Sequence, residues 1–545
     1  MEIPKSTFKD KRFSKHKWLL KIGASILITT LLLLGFHLES NYKAVNTSSY
    51  YTVVVDCGST GTRVNVYEWM VEGKTVIVTN RDLPILLHSY PGNETRGSSL
   101  WKNSCQYHCL QTEPGLDKFV NDSFGVRQKL EPLIVWAENV VPNERHGETP
   151  VFVLATAGLR RLAIRDSDRV LDDVEAVLKD HSFMYRKSWV RVLSGREEAY
   201  YGWVALNYKM GSFGNFPNSS PTLGVLDLGG SSLQIMAEVD DAVDDVHEMR
   251  SNIGSVENQI VAYSFPAFGL NEAFDRTVLM LKNNQSMEKT GNNAEVRHPC
   301  LISTSVQNYT VTKKTEVHSL RLIGEPDWEQ CKKVATAAAM NSSNFNVLLP
   351  TIGKNCRAGS FSDIGTGILN LTAIGHQIKR YHALSGFFFV YNKLNLSPKA
   401  NLTTIWESGK QICSNLWTGS SNISDNPNYA GKFCFQVAYM ASLIEYGLCL
   451  GDVEIVFGPG DVSWTLGAAL IEGKFLWLNT SSHKAQSFFS TLKNVKVMSS
   501  PTLLFAVLLF LLFIVYCSQV KLPMPGRRAS SPGLSLPSHV RHRSI

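Results

Sequence analysis

Residues 52–63 read TVVVDCGSTGTR and residues 223–234 read LGVLDLGGSSLQ. Each is a short apolar, β-branched run that delivers an aspartate, Asp56 or Asp227, into a turn of glycine and hydroxyl residues. Beyond each turn a second strand pattern returns, Val64–Trp69 after the first and Leu233–Val239 after the second, so each reads as a hairpin around a glycine turn. The two aspartates lie 171 residues apart, and a duplicated domain is the economical explanation. A further strand, Val151–Leu154, runs into ATAGLRRL, and Asp166–Leu178 and Glu197–Met210 carry helical spacing. Strands alternating with helices predict an α/β fold. Residues 239 to about 344 are polar, and are expected to be a loop-rich insertion into the second lobe.

The chemistry of the two turns follows from their composition. Glycines let backbone N–H groups approach a ligand closely, and the hydroxyls of Ser59, Thr60, Thr62 and Ser231 add donors. Such a loop suits phosphate, with Gly61, Arg63, Gly229 and Gly230 in the same strings. A strand-end carboxylate suits a divalent cation held through water beside the phosphates. Ser194-Gly195-Arg196-Glu197-Glu198 supplies a carboxylate of the kind that orients or deprotonates water in hydrolysis of a phosphoanhydride. Read alone, these residue types also serve as turn Ser, strand Gln, loop-capping Asp and a helix-start acid pair. No GxxxxGK[ST], HExxH or GxSxG occurs, so a P-loop ATPase and a zinc peptidase are unsupported.

The 545 residues carry 44% hydrophobic and 19% charged side chains with mean hydropathy near zero, too apolar for a disordered chain and too polar for a polytopic transporter. Of the formal charge of +7, residues 1–17 hold +4 and residues 520–545 hold +5, which leaves −2 between them. That balance offers no bulk field for nucleic acid. Each basic tail adjoins an apolar run: Trp18–Phe36, 19 residues with Lys21 as its one charge, and Thr502–Cys517, 16 residues with none. The first reads as a retained signal anchor rather than a cleaved signal peptide, the second as a transmembrane helix. Basic outer flanks predict cytosolic termini and a lumenal or extracellular middle, with the short second run favouring a Golgi or other endomembrane address over the plasma membrane. Twelve Asn-x-Ser/Thr acceptors, from Asn46 to Asn479, all fall between the two runs, so N-linked glycans are expected. Nine of the ten cysteines fall there too; with Cys57 left free, up to four disulfides are expected among the other eight. A zinc site lacks any CxxC or HxxxH.

Taken together, DCGSTGTRV, ATAGLRRL, SGREEAYYGWVALNY, LGVLDLGGSSLQI and FGPGDVSWTLGAAL resemble, in order, the five regions of the apyrases, or ecto-nucleoside triphosphate diphosphohydrolases. The GSTGTR form is most similar to plant membrane apyrases and Golgi-type relatives. The resemblance extends from Asp56 to Leu470. It implies a duplicated actin/Hsp70-like, ribonuclease-H-type fold, with lobe I over 50–222, lobe II over 223–460 and a return segment to lobe I over 461–495. It implies hydrolysis of nucleoside tri- and/or diphosphates with Ca²⁺ or Mg²⁺. Glu198 would activate water, Ser232 and Gln234 would hold that water, and Asp56 and Asp227 would contact the hydrated metal. Thr156 and Arg160 would face phosphate, or Arg160 would brace an acidic loop, while Arg161 reads as structural. Phe388 and Tyr439 match the aromatic positions that stack on the base. Asp461 and Trp464 match positions near the lobe interface, and Ala199 departs from the glycine of many relatives. A lumenal diphosphatase of narrow specificity serving glycosylation, and a catalytically weak binding protein on the same fold, are the alternatives.

Overall fold

In the computed structural model, the described residues are 49–70, 83–91, 110–213, 222–239, 247–253, 257–285, 295–313, 316–342, 380–399, 401–418 and 427–478. Both expected membrane runs and both tails lie outside them. Among the described residues no helix is long and apolar enough to cross a membrane.

Lobe I is built on β1 (Tyr50–Cys57), β2 (Thr62–Met70), β3 (Ile85–Tyr90), β4 (Leu110–Thr112), β5 (Val151–Ala155) and β6 (Val190–Val192). Their order is β3-β2-β1-β5-β6, with β4 also on β2. β1 and β2 form an antiparallel hairpin, while β5 and β6 continue the sheet in parallel on the other side of β1. Lobe II repeats this plan. β7 (Gly224–Leu228) and β8 (Leu233–Glu238) form the hairpin, and β10 (Asn258–Phe265) and β9 (Glu248–Ser251) extend it antiparallel. β14 (Arg380–Ser385) and β15 (Glu454–Phe457) run parallel to β7 on its other side. In both lobes the strand that carries the aspartate is therefore central, with its hairpin partner on one side and a parallel crossover strand on the other. Helices cover both faces of such strands, which explains why β1 reads as an unbroken apolar run rather than an alternating one. Val53 and Val55 face the lobe I core, while Val54 faces the core shared with Trp203 and Trp464.

The polar stretch after Val239 is more ordered than its composition predicts. β9 and β10 complete the lobe II sheet, and β11 (Glu295–His298), β12 (Val306–Lys313) and β13 (Glu316–Gly324) form a separate three-stranded sheet. Helices Leu270–Gln285 and Trp328–Ala339 flank it. The expectation of a loop-rich insertion is corrected for a physical reason: alternating polar and apolar residues in a half-exposed sheet resemble loop in average composition.

Helix Trp464–Glu472 returns from the end of lobe II to pack on helix Gly195–Lys209 and β1. Gly467 makes this approach possible, since a Cβ there would stand 1.9 Å from the Tyr201 carbonyl oxygen. Residues 46–481, which hold both lobes, form one unit. Disulfides Cys300–Cys331 and Cys413–Cys434 brace lobe II, Cys449 is also bonded, and Cys57 is free and buried.

Candidate active site between the two lobes

The two glycine turns close with the same hydrogen bond. Gly58 N–H donates to Gly61 O at 3.0 Å and Gly229 N–H donates to Ser232 O at 2.8 Å. They meet across the lobes, where Ser231 Oγ donates to Ser59 Oγ at 2.9 Å. A Cβ on Gly230 would stand 3.0 Å from Thr60 Cγ2, so the loops are in close opposition. On the lobe I side Arg63 faces Asp56 across the hairpin, with Nη1 3.3 Å from Oδ2, and its Nη2 donates to Thr60 Oγ1 at 3.1 Å. The equivalent position facing Asp227 is Gln234. Its Nε2 donates to Ser232 Oγ at 2.7 Å and to Ser264 Oγ at 3.3 Å. Thr62 is fully buried in β2, with its hydroxyl unpaired.

Glu198 enters from the first turn of helix Gly195–Lys209. The two acids of the SGREE string have separate roles there. Glu197 closes a capping box, accepting from Ser194 N and Oγ, both at 2.8 Å, and it pairs with Arg191 at 2.6 Å. Glu198 is buried and pairs with Arg160, whose Nη2 donates to its Oε2 at 2.5 Å. Arg160 Nε is held by the Leu193 carbonyl at 2.9 Å, so its guanidinium is fixed between that carbonyl and Glu198. Thr156 N–H donates to Cys57 O at 3.2 Å, tying the ATAGL turn to the first glycine loop. Arg161 pairs with Glu272 of lobe II.

Helix Gly195–Lys209 reaches this position because residue 195 has no side chain. A Cβ there would stand 2.0 Å from Ser264 Oγ and 3.2 Å from an Arg160 nitrogen. The absence of that atom brings the helix start against Ser264 of β10, which accepts a hydrogen bond from Gln234.

Asp56, Asp227 and Glu198 are all buried and within electrostatic reach of one another. Burial pushes Asp56 up to about 6, opposed by Arg63 and reinforced by Asp227. Burial likewise raises Asp227, opposed by a hydrogen bond from Ser385. Glu198 is pushed up to about 7, again by burial, with Arg160 pulling it down and Asp227 and Asp56 pushing further. Asp56 Oδ1 is buried without a hydrogen-bond partner.

Residues 42–486 match the GDA1/CD39 (nucleoside phosphatase) family. The chain belongs to this family. Probable apyrase 7 of Arabidopsis thaliana is 35% identical over an alignment of 521 positions that covers 91% of this chain and 66% of that protein, so the chain spans about two thirds of its length. Nucleoside-diphosphatase mig-23 of Caenorhabditis elegans is 25% identical over an alignment of 563 positions that covers 96% of each chain. The crystal structure of nucleoside triphosphate hydrolases from Neospora caninum superposes with a TM-score of 0.52 at 14% identity, over 81% of this chain and 96% of that one, a likeness of fold.

Within this GDA1/CD39 chain the expected site residues divide. Ser59, Thr60, Gly61, Arg63, Gly229, Gly230, Ser231, Ser232 and Gln234 gather at the two loops with Asp56, Asp227, Thr156, Arg160 and Glu198 around them. Phe388 is half-buried on helix Gly386–Asn392, its ring beside Gly458 and Gly460. Tyr439 is corrected to a core residue. It is fully buried, its hydroxyl donates to Phe268 O at 2.7 Å, and its ring stacks on Phe435, so no face is left for a base. Asp461 pairs with Lys209 at the far end of the helix from Glu198, about 16 Å along its axis, and Trp464 is buried against Tyr201. Ser264 and Ser385, which touch the site from β10 and β14, carry no sequence motif.

Proposed function

We propose that this family member hydrolyses nucleoside tri- and/or diphosphates to the monophosphate and phosphate by in-line attack of water activated by Glu198. The observation that carries the reading is the convergence of three buried carboxylates beside two opposed glycine loops, with Glu198 pushed up to about 7 by burial. A base poised near neutral pH accepts a proton from water as the terminal phosphorus is attacked. Ser232 and Gln234, linked at 2.7 Å, hold that water, and the loop N–H groups with Arg63 take the phosphates. The names of the relatives, apyrase and nucleoside-diphosphatase, support both substrate classes.

The reaction takes a divalent cation, Ca²⁺ or Mg²⁺. The donor set fits one held through its waters: Asp56 Oδ1 is buried and unpartnered, Asp227 is near enough to raise the pKa of Asp56, and no group of three or more His, Cys, Asp or Glu gathers into a direct cage among the described residues. When bound, the cation neutralises charge on the phosphates and on these carboxylates. Phe388 offers the base a partly exposed ring. We further propose a two-pass membrane protein with both termini cytosolic and residues 39–501 lumenal, in an endomembrane. In support, the described acceptor asparagines Asn121, Asn284, Asn308, Asn341, Asn395 and Asn401 are all exposed. Protease added to sealed vesicles is expected to trim both tails and spare the middle; protection of the C-terminal tail would contradict the second span.

Phosphate release by the detergent-solubilised chain from a panel of nucleoside tri- and diphosphates, with and without Ca²⁺ or Mg²⁺, tests the activity. Cation-dependent release is expected. A folded protein releasing no more than the blank supports a binding protein instead.

A further inference from the structure

β14 ends at Ser385, one residue beyond the position that pairs with Asp227: Leu384 faces Asp227 and Ser385 faces Leu228 across the parallel ladder. The backbone of Ser385 has φ 51° and ψ −118°, a conformation that glycine adopts readily and other residues avoid. Of the other non-glycine residues with positive φ among those described, Asn341 and Asn395 are of the type that tolerates it. Serine is a poor choice for such a turn unless its side chain is needed there. That side chain donates a hydrogen bond to the Asp227 carboxylate.

The turn has a second consequence. At the next residue, Gly386, a Cβ would stand 2.5 Å from Leu228 O, so the chain passes directly over the end of the strand that bears Asp227. Helix Gly386–Asn392 begins at this point and carries Phe387 into the core and Phe388 beside Gly458 and Gly460. One strained turn therefore touches Asp227 and also launches the helix of the base-side aromatic.

We propose that Ser385 is a positioning residue, whose hydroxyl fixes the Asp227 carboxylate for the hydrated cation and whose strained backbone is retained to place that hydroxyl. The inference rests on the assignment of Asp227 to the cation side of the site. Serine at this position gives up stability for cation affinity, because glycine would relax the turn but leave Asp227 without its donor.

Two substitutions separate the parts, since Ser385→Gly and Ser385→Ala both lose the hydroxyl and only glycine suits the turn. In the full-length protein both are expected to raise the Mg²⁺ concentration for half-maximal turnover roughly tenfold, the size of losing one hydrogen bond to a charged group, with kcat largely recovered at saturating Mg²⁺. Both are expected to weaken the thermal stabilisation given by Ca²⁺ with a non-hydrolysable methylene diphosphate nucleotide. Without cation, Ser385→Gly is expected to melt about 2 °C or more above Ser385→Ala. If Ser385→Ala does not fold, the glycine variant carries the cation test. An unchanged Mg²⁺ requirement in Ser385→Gly overturns the proposal provided Asp227→Asn raises it. If Asp227→Asn also leaves it unchanged, the assignment of Asp227 has failed instead. Equal melting of the two serine variants overturns the strained-turn part.

Discussion

Arg160 Nη2 donates to Glu198 Oε2 at 2.5 Å, while its Nε is fixed by the Leu193 carbonyl at 2.9 Å. The arginine thus both orients the carboxylate and holds its pKa below the value that burial alone would produce. Arg160→Met keeps the packing of the stem and removes the charge. Glu198 must be ionised to take a proton from water, and a higher pKa confines the ionised form to higher pH. The acid limb of the kcat profile is therefore expected to move up by about one pH unit or more. A lowered plateau with an unmoved limb would show that Arg160 acts on phosphate or on structure alone.

The same burial makes Glu198 a stability liability. Its folded value of about 7 lies above the ordinary value of 4.5, so the folded state binds the extra proton between those values and stability falls as pH rises through that window. Glu198→Gln removes the titration. It is expected to melt above the parent protein at pH 8, by an amount on the order of 2–3 kcal/mol in cation-free buffer, with the gap closing by about pH 5. A gap that is independent of pH would contradict the assignment of a buried, protonation-prone carboxylate.

Gly195→Ala tests how the helix start is placed. Its Cβ would overlap Ser264 Oγ and Cβ, at 2.0 and 2.3 Å, and displace the helix start that carries Glu198. Turnover is expected to fall by about 10²-fold, because a displacement on the ångström scale is enough to lose alignment. Ser264→Gly in the same chain makes room for the new methyl and is expected to recover part of the loss, a coupling that independent sites would not show. Gly147→Ala, where a Cβ meets nothing within 4 Å, is the control.

The repeated strand and turn patterns, both glycine loops and the helix start at SGREE were legible in the sequence because each is local, within a dozen residues. The partition of the acid pair was not. Glu197 and Glu198 are adjacent and identical in type, and only the capping box with Ser194 and the contact with Arg160 tell them apart. Ser264 and Ser385 were invisible for the same reason, since each reaches the site through a single contact from a strand 30 or more residues away. Tyr439 misled because an aromatic with a hydroxyl is as suitable for a core position, once Phe268 O accepts its proton, as for stacking on a base. β9 to β13 were hidden by polar composition that pairing across strands overrides.

Turnover by Glu198→Gln is the most direct test of the mechanism. In the proposed mechanism the carboxylate acts on water only as phosphorus is attacked, whereas the loops, Asp56 and Asp227 would hold phosphates and cation before and during the reaction. The substitution keeps size and shape and removes the basic oxygen. With the cation saturating and the variant shown to be folded by its melting transition, kcat is expected to fall by about 10²-fold or more with nucleotide affinity little changed. Near-normal turnover by that folded variant would contradict the general-base assignment and leave Ser232 and Gln234 to position the water without it.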